Sequence, residues 1–463
     1  MAITKFLNSR KDICKKLISE LRKKYEYVSI LGVDTNGFSI SVDRFTSAVS
    51  DSVSSERGFV IKIFDGNGYL EYSTNDINED NFKKLVKDIK NFEVKETSRV
   101  KTSILNDDPF NNVYTRVDEN PMNVNDTLNN LKEIKEKALA YDERIINAMC
   151  HFEKFVTSKM FLTENKELEQ DYPWCSAILY VVSRVDGNIK SARKAIGGIN
   201  SQEAVDKLIN YVEETCKLAI DLLDSLKIEP GVYDVITDPS ISGLIAHEAF
   251  GHGVEMDMFV KNRAKAKDYM NEYVASPIVN MRDGAAAALN VASYFFDDDG
   301  ILASDTEIIK DGKLVGGMAD ALSAMQLDVI PTGNGRREKY SHKAYTRMTN
   351  TFFVPGNDKL EDMIKSIDYG FYLCETNNGM EDPKNWQIQC VCEYAREIKD
   401  GKFTGRLFSP IVLSGYVLDV LKSITMVSDQ FELFGAGYCG KGHKEWVRVS
   451  DGGPHLKARV KLG

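Results

Sequence analysis

The chain has no apolar run approaching the ~20 residues a membrane span needs, and it has no basic tail. The first absence excludes a helical membrane protein. The second, with a formal net charge of -10, argues against a nucleic-acid binder, because no basic face is left to meet phosphates. No Cys-x-x-Cys pair occurs, and eight cysteines are scattered over 463 residues. That density is too low for a disulfide scaffold, so reduced thiols in a cytoplasmic protein are expected, most of them small core hydrophobes. The first residues lack the unbroken apolar core and small-residue cleavage site of a signal peptide. Their apolar positions Phe6, Leu7, Ile13, Cys14, Leu17, Ile18 and Leu21 recur with helical period instead.

Hydrophobic residues make up 43% and charged residues 28%, the balance of a soluble globular protein. The length exceeds one ordinary core and predicts two domains. Short strands are expected at Tyr27–Val33 and Gly37–Val42 around a turn at Asp34-Thr35-Asn36-Gly37, then at Ala48–Val53 and Phe59–Phe64. Helices fit Glu79–Phe92 and Asp126–Tyr141, with an exposed loop over Val100–Val124 between them. Strands return through Ile145–Phe155, Lys159–Thr163, Cys175–Ser183 and Asn188–Ile196, and one long helix fits Ser201–Leu226. Glu229-Pro230-Gly231 ends it, which places a boundary between 1–228 and 229–463. The second part carries short strands at Tyr233–Thr237, Ala292–Phe296, Thr306–Ile309, Gln387–Ile398 and Ala458–Leu462. The expected class is α+β, a mixed α/β N-terminal domain followed by a strand-rich C-terminal one.

Two of the six histidines share one string, His247-Glu248-Ala249-Phe250-Gly251-His252. Two imidazoles beside a carboxylate are the parts of a hydrolytic zinc site, in which the carboxylate takes a proton from the attacking water. The common helical motif spaces its histidines by four, whereas these are five apart. Asp238 as N-cap, Pro239 at the first helical position and the stripe Ile241, Leu244, Ile245 and Ala249 put the string on a helix. At ~100° per residue, five positions carry the second ring ~140° round a regular helix. A shared metal therefore requires a π-type bulge or kink between Glu248 and Gly253, made cheap by Gly251 and Gly253. The bland alternative is a pair of buried, hydrogen-bonded histidines, with Glu248 and His252 as an ordinary helical pair.

Two histidines are too few for zinc, so a third ligand must come from elsewhere. Glu255, Asp257, His342, His443, His455 and the cysteines are candidates. Cys439 stands out, because it lies in a glycine-dense stretch, Phe434–Gly442, expected to be a loop that lets backbone approach a metal. Cysteine with two histidines and one open position is a catalytic pattern. Zinc is the metal that such a donor set favours, and iron or cobalt also fit it.

These segments resemble the TldD/PmbA family, also called modulators of DNA gyrase, in its metal-binding TldD-type branch. The resemblance is carried by His247–Asp257 (HEAFGHGVEMD), Thr332–Arg337 (TGNGRR), Arg347–Gly356 (RMTNTFFVPG), Tyr438–Gly440 (YCG) and the opening stretch Val49–Asn75. It implies a zinc peptidase with His247, His252 and Cys439 as ligands and Glu248 as general base. It also implies a dimer, with itself or with a paralogue lacking the motif, whose enclosed site admits short or unfolded peptides. Where the family tends to have a glycine-rich stretch with an acidic residue, this chain reads Glu375-Thr376-Asn377-Asn378-Gly379-Met380-Glu381-Asp382-Pro383.

In the resulting scheme Glu248 moves the proton to the leaving amine, and the oxyanion needs a further donor. The locally basic run Arg336, Arg337, Lys339, His342, Lys343, Arg347 offers His342 and Arg347 as catalytic candidates, and Arg336 and Asn350 as substrate contacts. Its plain alternative is a solvated basic loop. Edge strands near the site are expected to hold an extended peptide by its backbone. Two other classes stay open. One is a non-catalytic peptide-binding or scaffold subunit with a structural zinc completed by Asp257 or His443. The other is a regulator of DNA topology, which the acidity disfavours.

Overall fold

The computed structural model describes residues 3–52, 54–92, 103–441 and 444–463. Val53, the start of the expected loop at 100–124 and His443 lie outside the described residues.

The first half is built on an eight-stranded sheet in the order Tyr69–Thr74, Glu56–Phe64, Tyr27–Val42, Ile145–Leu162, Lys166–Val185, Phe110–Thr115. Ser47–Asp51 pairs with the third of these and Asn188–Gly198 with the fifth. Every pairing is antiparallel except that of Phe110–Thr115 with Lys166–Val185. Helices Lys5–Leu21 and Glu79–Lys90 cover one stretch of the sheet through Leu7, Leu17, Ile30, Ile61 and Leu162. Helices Val124–Tyr141, Ser201–Asn210 and Val212–Asp221 cover another through Leu131, Ile134, Leu179 and Cys216.

Four expectations change here, the first being that Ile145–Phe155 and Lys159–Thr163 join in the single strand Ile145–Leu162. Tyr27–Val42 is one continuous strand, and Asp34–Gly37 is not a turn. Asp34 is buried and accepts from Arg57 and Thr4, while a side chain on Gly37 would overlap Lys154 and Phe155 of the neighbouring strand. The glycine there serves close strand approach. The expected exposed loop at 100–124 contains the strand Phe110–Thr115. The long helix breaks at Tyr211, whose φ of -92° and ψ of 0° leave the helical region.

In the second half Tyr369–Asp382, Gly231–Thr237, Leu456–Leu462, Ile411–Tyr416 and Gln387–Lys399 pair in that order. The last pairs back on the first, so the five close into a ring, with Lys402–Phe408 outside it. A six-stranded sheet runs Lys313–Leu314, Thr306–Lys310, Met281–Asp283, Asn350–Phe353, Lys444–Gly453, Glu432–Lys441. Ala292–Phe296 is not a strand. One large apolar core links ring, sheet and the short helix Pro239–Ala246. The class is α+β. The two halves meet where Gly197 and Gly435 bring their backbones together, and where Arg448 lies between the rings of Trp174 and Tyr438 while pairing with Glu153.

Candidate metal centre

The helix Pro239–Ala246 starts as its sequence dictates. Asp238 caps it, accepting from the Ile241 N–H at 2.8 Å, with Pro239 following. The other Asp238 oxygen accepts from the Glu375 N–H at 2.8 Å, which ties the helix to the strand Tyr369–Asp382. Burial and the nearby Glu375 push the Asp238 carboxyl up to about 6. On its other side the helix is pressed against the strand Lys444–Gly453, because a side chain on Gly243 would overlap the backbone at Gly452. That contact brings the end of the helix up to the strand Glu432–Lys441, which carries Cys439. Phe434–Gly442 was expected to be a loop. Its described part is strand because glycines tolerate the two register shifts through which it pairs with Lys444–Gly453.

From His247 to Gly251 the helix widens to π geometry, and the His252 N–H reaches back five residues to the His247 carbonyl. A short 3₁₀ turn, His252–Val254, follows. The distortion demanded by the spacing of the histidines is present. The glycines contribute differently from the expectation. Gly251 has ordinary helical angles, φ -63° and ψ -66°. It is bare because a side chain there would overlap Met348, and one on Gly253 would sit 2.9 Å from a Glu381 oxygen.

The widened turn puts both imidazoles on one side. His247 Nε2 lies 3.2 Å from Cys439 Sγ, and His252 Nε2 lies 3.3 Å from it. The three donor atoms lie within 4.8 Å of one another. Zinc bond lengths of about 2.0 Å to nitrogen and 2.3 Å to sulfur in a tetrahedron require N···S separations of about 3.5 Å. The donor set fits such an ion, and the remaining ring nitrogens face carboxylates: His252 Nδ1 is 3.5 Å from Glu255, and His247 Nδ1 is 3.7 Å from Asp451. Carboxylates behind metal-binding imidazoles fix their tautomer and raise their basicity.

Charge is concentrated here. Burial pushes the Cys439 thiol up, but the two imidazoles outweigh it and pull it well below the ordinary thiol range. Burial pushes the other seven cysteines up. Burial lowers His247, yet the facing sulfur lifts it to about 9. Burial likewise lowers His252, and Cys439 and Glu255 raise it well above the ordinary histidine value. Burial raises Glu248, and the two imidazoles pull it back.

Glu248, His247, His252 and Cys439 open on to one cleft of about 780 Å³. Its walls are the strands Tyr369–Asp382 and Glu432–Lys441, with Arg193 and Lys194 reaching in from the first half. Gly379 lies against Glu248, since a side chain on it would meet Glu248 Cγ at 2.6 Å.

The other sequence candidates fall elsewhere. Arg347 is fully buried behind the cluster, donating to Cys439 Sγ and to its carbonyl, both at 2.9 Å, and to Glu255 at 3.2 Å. It is neither solvated nor in the cleft wall. Arg336 donates to the Met348 carbonyl at 2.6 Å and lines a different cavity of about 580 Å³. His342 lies 3.4 Å from Glu445 and 3.5 Å from Glu338, outside the cleft. Asn350 is buried, its amide donating to Gly284 O, Ala288 O and Ser293 Oγ. Asp257 pairs with Lys261 and Lys441, and His455 pairs with Tyr372 and Ser428. Sequence reading missed Asp451, Gly379 and Glu381. No motif marks Asp451. Gly379 and Glu381 were visible only as part of an unusual stretch.

A profile of the PmbA/TldA metallopeptidase C-terminal domain matches residues 230–461, half of the chain and all of the elements that bear the cluster. The chain belongs to the PmbA/TldD family. A metalloprotease of Methanocaldococcus jannaschii is 29% identical over 86% of this chain and 88% of its own length. A metalloprotease TldD homolog of Buchnera aphidicola is 34% identical over 53% of this chain, and the match spans about half, 51%, of that relative. A zinc metalloprotease TldD homolog of Saccharolobus solfataricus is 27% identical over 68% of this chain and 70% of its own length. Among solved structures, a protein of Thermotoga maritima described as a candidate modulator of DNA gyrase superposes with a TM-score of 0.80 at 17% identity. That match covers 98% of this chain and all of the other. TldE of Thermococcus kodakarensis gives 0.76 at 16% identity, over 97% and 100% of the two chains. At these identities the structures establish the PmbA/TldD fold. At family level the chain stands among metallopeptidases. No described helix is long and apolar enough to cross a membrane.

Proposed function

We propose that this PmbA/TldD chain is a zinc-dependent peptidase for short or unfolded peptides, with His247, His252 and Cys439 as metal ligands and Glu248 as general base. The observation that carries the reading is the convergence of two imidazoles and a thiolate across a π turn, with Glu248 in the same cleft. Among the described residues the group offers three donors, which favours a site with an open position over a closed structural one. A bound zinc ion supplies Lewis acidity toward water and a peptide carbonyl. Glu248 takes the proton of the attacking water and delivers it to the leaving amine, a role its burial assists by raising its basicity. Glu255, 3.5 Å from His252 Nδ1, is placed to hold that imidazole in register, while Asp451 lies 3.7 Å from His247 Nδ1 without a hydrogen bond to it. Arg347 is a positioning residue that offsets the negative charge of Cys439 and Glu255 from behind. The cleft walls are strands, so an extended peptide is held through its backbone and many sequences are accepted.

Division into domains 1–228 and 229–463 belongs to the same reading, supported by sheets whose strands do not cross that point. So does an enclosing dimer, with a second copy or a motif-lacking paralogue, which light scattering of the purified chain tests. A cytoplasmic setting is supported by eight unpaired, buried cysteines. The deciding experiment joins metal analysis to a mass-spectrometric peptide digest of the unaltered chain and of Glu248→Gln. The variant is expected to keep its zinc and lose about 10²- to 10⁴-fold in cleavage rate. Undiminished cleavage by the variant overturns the general-base role, and a metal-free, inactive unaltered chain overturns the reading itself.

A further inference from the structure

Gly379 and Glu381 stand two residues apart on the strand Tyr369–Asp382, on the face that looks toward the histidine turn. Strand and turn are complementary in bulk. Opposite Glu248 the strand has a bare Gly379, and opposite the bare Gly253 it presents Glu381. Glu248 has a part in the reaction proposed above, whereas Glu381 has none. Among the described residues neither of its carboxyl oxygens has a hydrogen-bond partner, and both are shielded from solvent, although the residue lines the cleft.

The cations of the cleft are committed to other groups. Lys441 lies 3.0 Å from Glu255 and 2.6 Å from Asp257. Lys194 lies 3.0 Å from Glu375, and Arg193 donates to the Thr376 carbonyl. Burial pushes the Glu381 carboxyl well up against the opposing pull of the His252 imidazole, neither oxygen has a hydrogen bond among the described residues, and such a costly group is retained where a ligand completes it. The indole Nε1 of Trp386, also unpartnered, is 3.3 Å from the point where Gly253 would carry a side chain, and Glu381 Oε1 is 2.9 Å from that point. A water between the two is the competing occupant. It would satisfy the lone pairs of the neutral acid that burial favours, whereas a cationic nitrogen would meet the carboxylate.

We propose that Glu381 receives a cationic nitrogen of the peptide, either its free α-ammonium or a lysine or arginine side chain, beside the bond that is cut. This subsite rests on the peptidase reading above. Two strand residues span about 7 Å, so the nitrogen sits one or two residues from the scissile carbonyl. Glu381 thereby sets where along an otherwise backbone-held peptide the cut falls.

The test uses the zinc-loaded full chain and alanine-rich octapeptides in matched pairs. One pair has a free or an acetylated N-terminus. Others have lysine or norleucine at one of three central positions. Two quantities are read: kcat/KM by mass spectrometry, and affinity by calorimetry with the Glu248→Gln chain. The cationic member of at least one pair is expected to win by about ten- to hundredfold in both, and Glu381→Gln is expected to bring that ratio close to one. The pair that responds names the source of the nitrogen. Equal values within every pair for the unaltered chain overturn the proposal and leave water as the occupant. A preference that survives Glu381→Gln overturns it too. Should that variant fail to fold, the unaltered chain still decides. Preferential binding with no cleavage leaves the subsite standing and overturns the peptidase reading, while cleavage without preference does the reverse.

Discussion

Replacing Gly379 with alanine isolates the contact that fixes Glu248. The added carbon would stand 2.6 Å from Glu248 Cγ, 2.8 Å from its Oε1 and 2.8 Å from Leu244 Cδ1. Carbon atoms in good contact sit about 3.5–4.0 Å apart, so Glu248 must retreat by about 1 Å. Gly379 is not in the left-handed region, so alanine meets no backbone penalty there. Misplacing a reacting group by that distance costs about 10²-fold in rate, or about 2.7 kcal/mol at the transition state. The overpacking itself costs about 1–3 kcal/mol of stability. Because His247, His252 and Cys439 are not the atoms displaced, zinc per chain is expected to stay unchanged. The assay reads kcat/KM on one peptide, metal per chain by mass spectrometry, and the thermal midpoint. In a Glu248→Gln background the alanine should have little further effect on rate, because the group it displaces is already disabled. A folded Gly379→Ala chain with kcat/KM within twofold of the unaltered one refutes the argument that this strand places Glu248.

Cys439→Ser is expected to lower zinc occupancy in a chelator titration, since the thiolate is the donor common to both imidazole contacts. Unchanged metal content removes Cys439 from the ligand set. Gly251→Ala should cost about 1–3 kcal/mol, because its methyl overlaps Met348 in a packed core. In a Met348→Ala background Gly251→Ala should cost less stability than it does alone, and an equal cost in both backgrounds means the clash is not the cause. His455 is held down to about 4 by burial, so the folded state favours its neutral form. Its contribution is fully present above the ordinary value near 6.5 and is lost as pH falls from there through 4. The amount is about 2–3 kcal/mol after allowance for solvent. His455→Gln should flatten stability over that window relative to the unaltered chain, and parallel unfolding curves would contradict this.

The N-cap at Asp238, the helix after it and the need for a distorted turn were all legible locally. Capping is decided by residues three apart, and histidines five apart on a 3.6-residue helix can share a metal only where the turn widens or kinks. Strand-forming segments were legible as well, but their lengths were not. Asp34-Thr35-Asn36-Gly37 has turn composition, yet the chain runs straight through it because a neighbouring strand needs the room at Gly37. The basic run around Arg336 and Arg347 looked like one surface. Folding sends Arg337 to Glu71, Arg336 to the Met348 carbonyl and Arg347 to the back of Cys439, and leaves His342 among other carboxylates.

What the sequence by itself determined is therefore the local chemistry: a capped helix, a widened turn and two imidazoles with a carboxylate between them. What only the tertiary structure decided is which distant groups meet that turn. Cys439, Asp451 and Glu381 lie about 130–200 residues further along the chain, and no periodicity records such a separation. The bare backbones of Gly243, Gly251, Gly253 and Gly379 bring them in, each leaving space for an atom from another element. A glycine shows in the sequence only that something comes close, and the fold alone identifies what does.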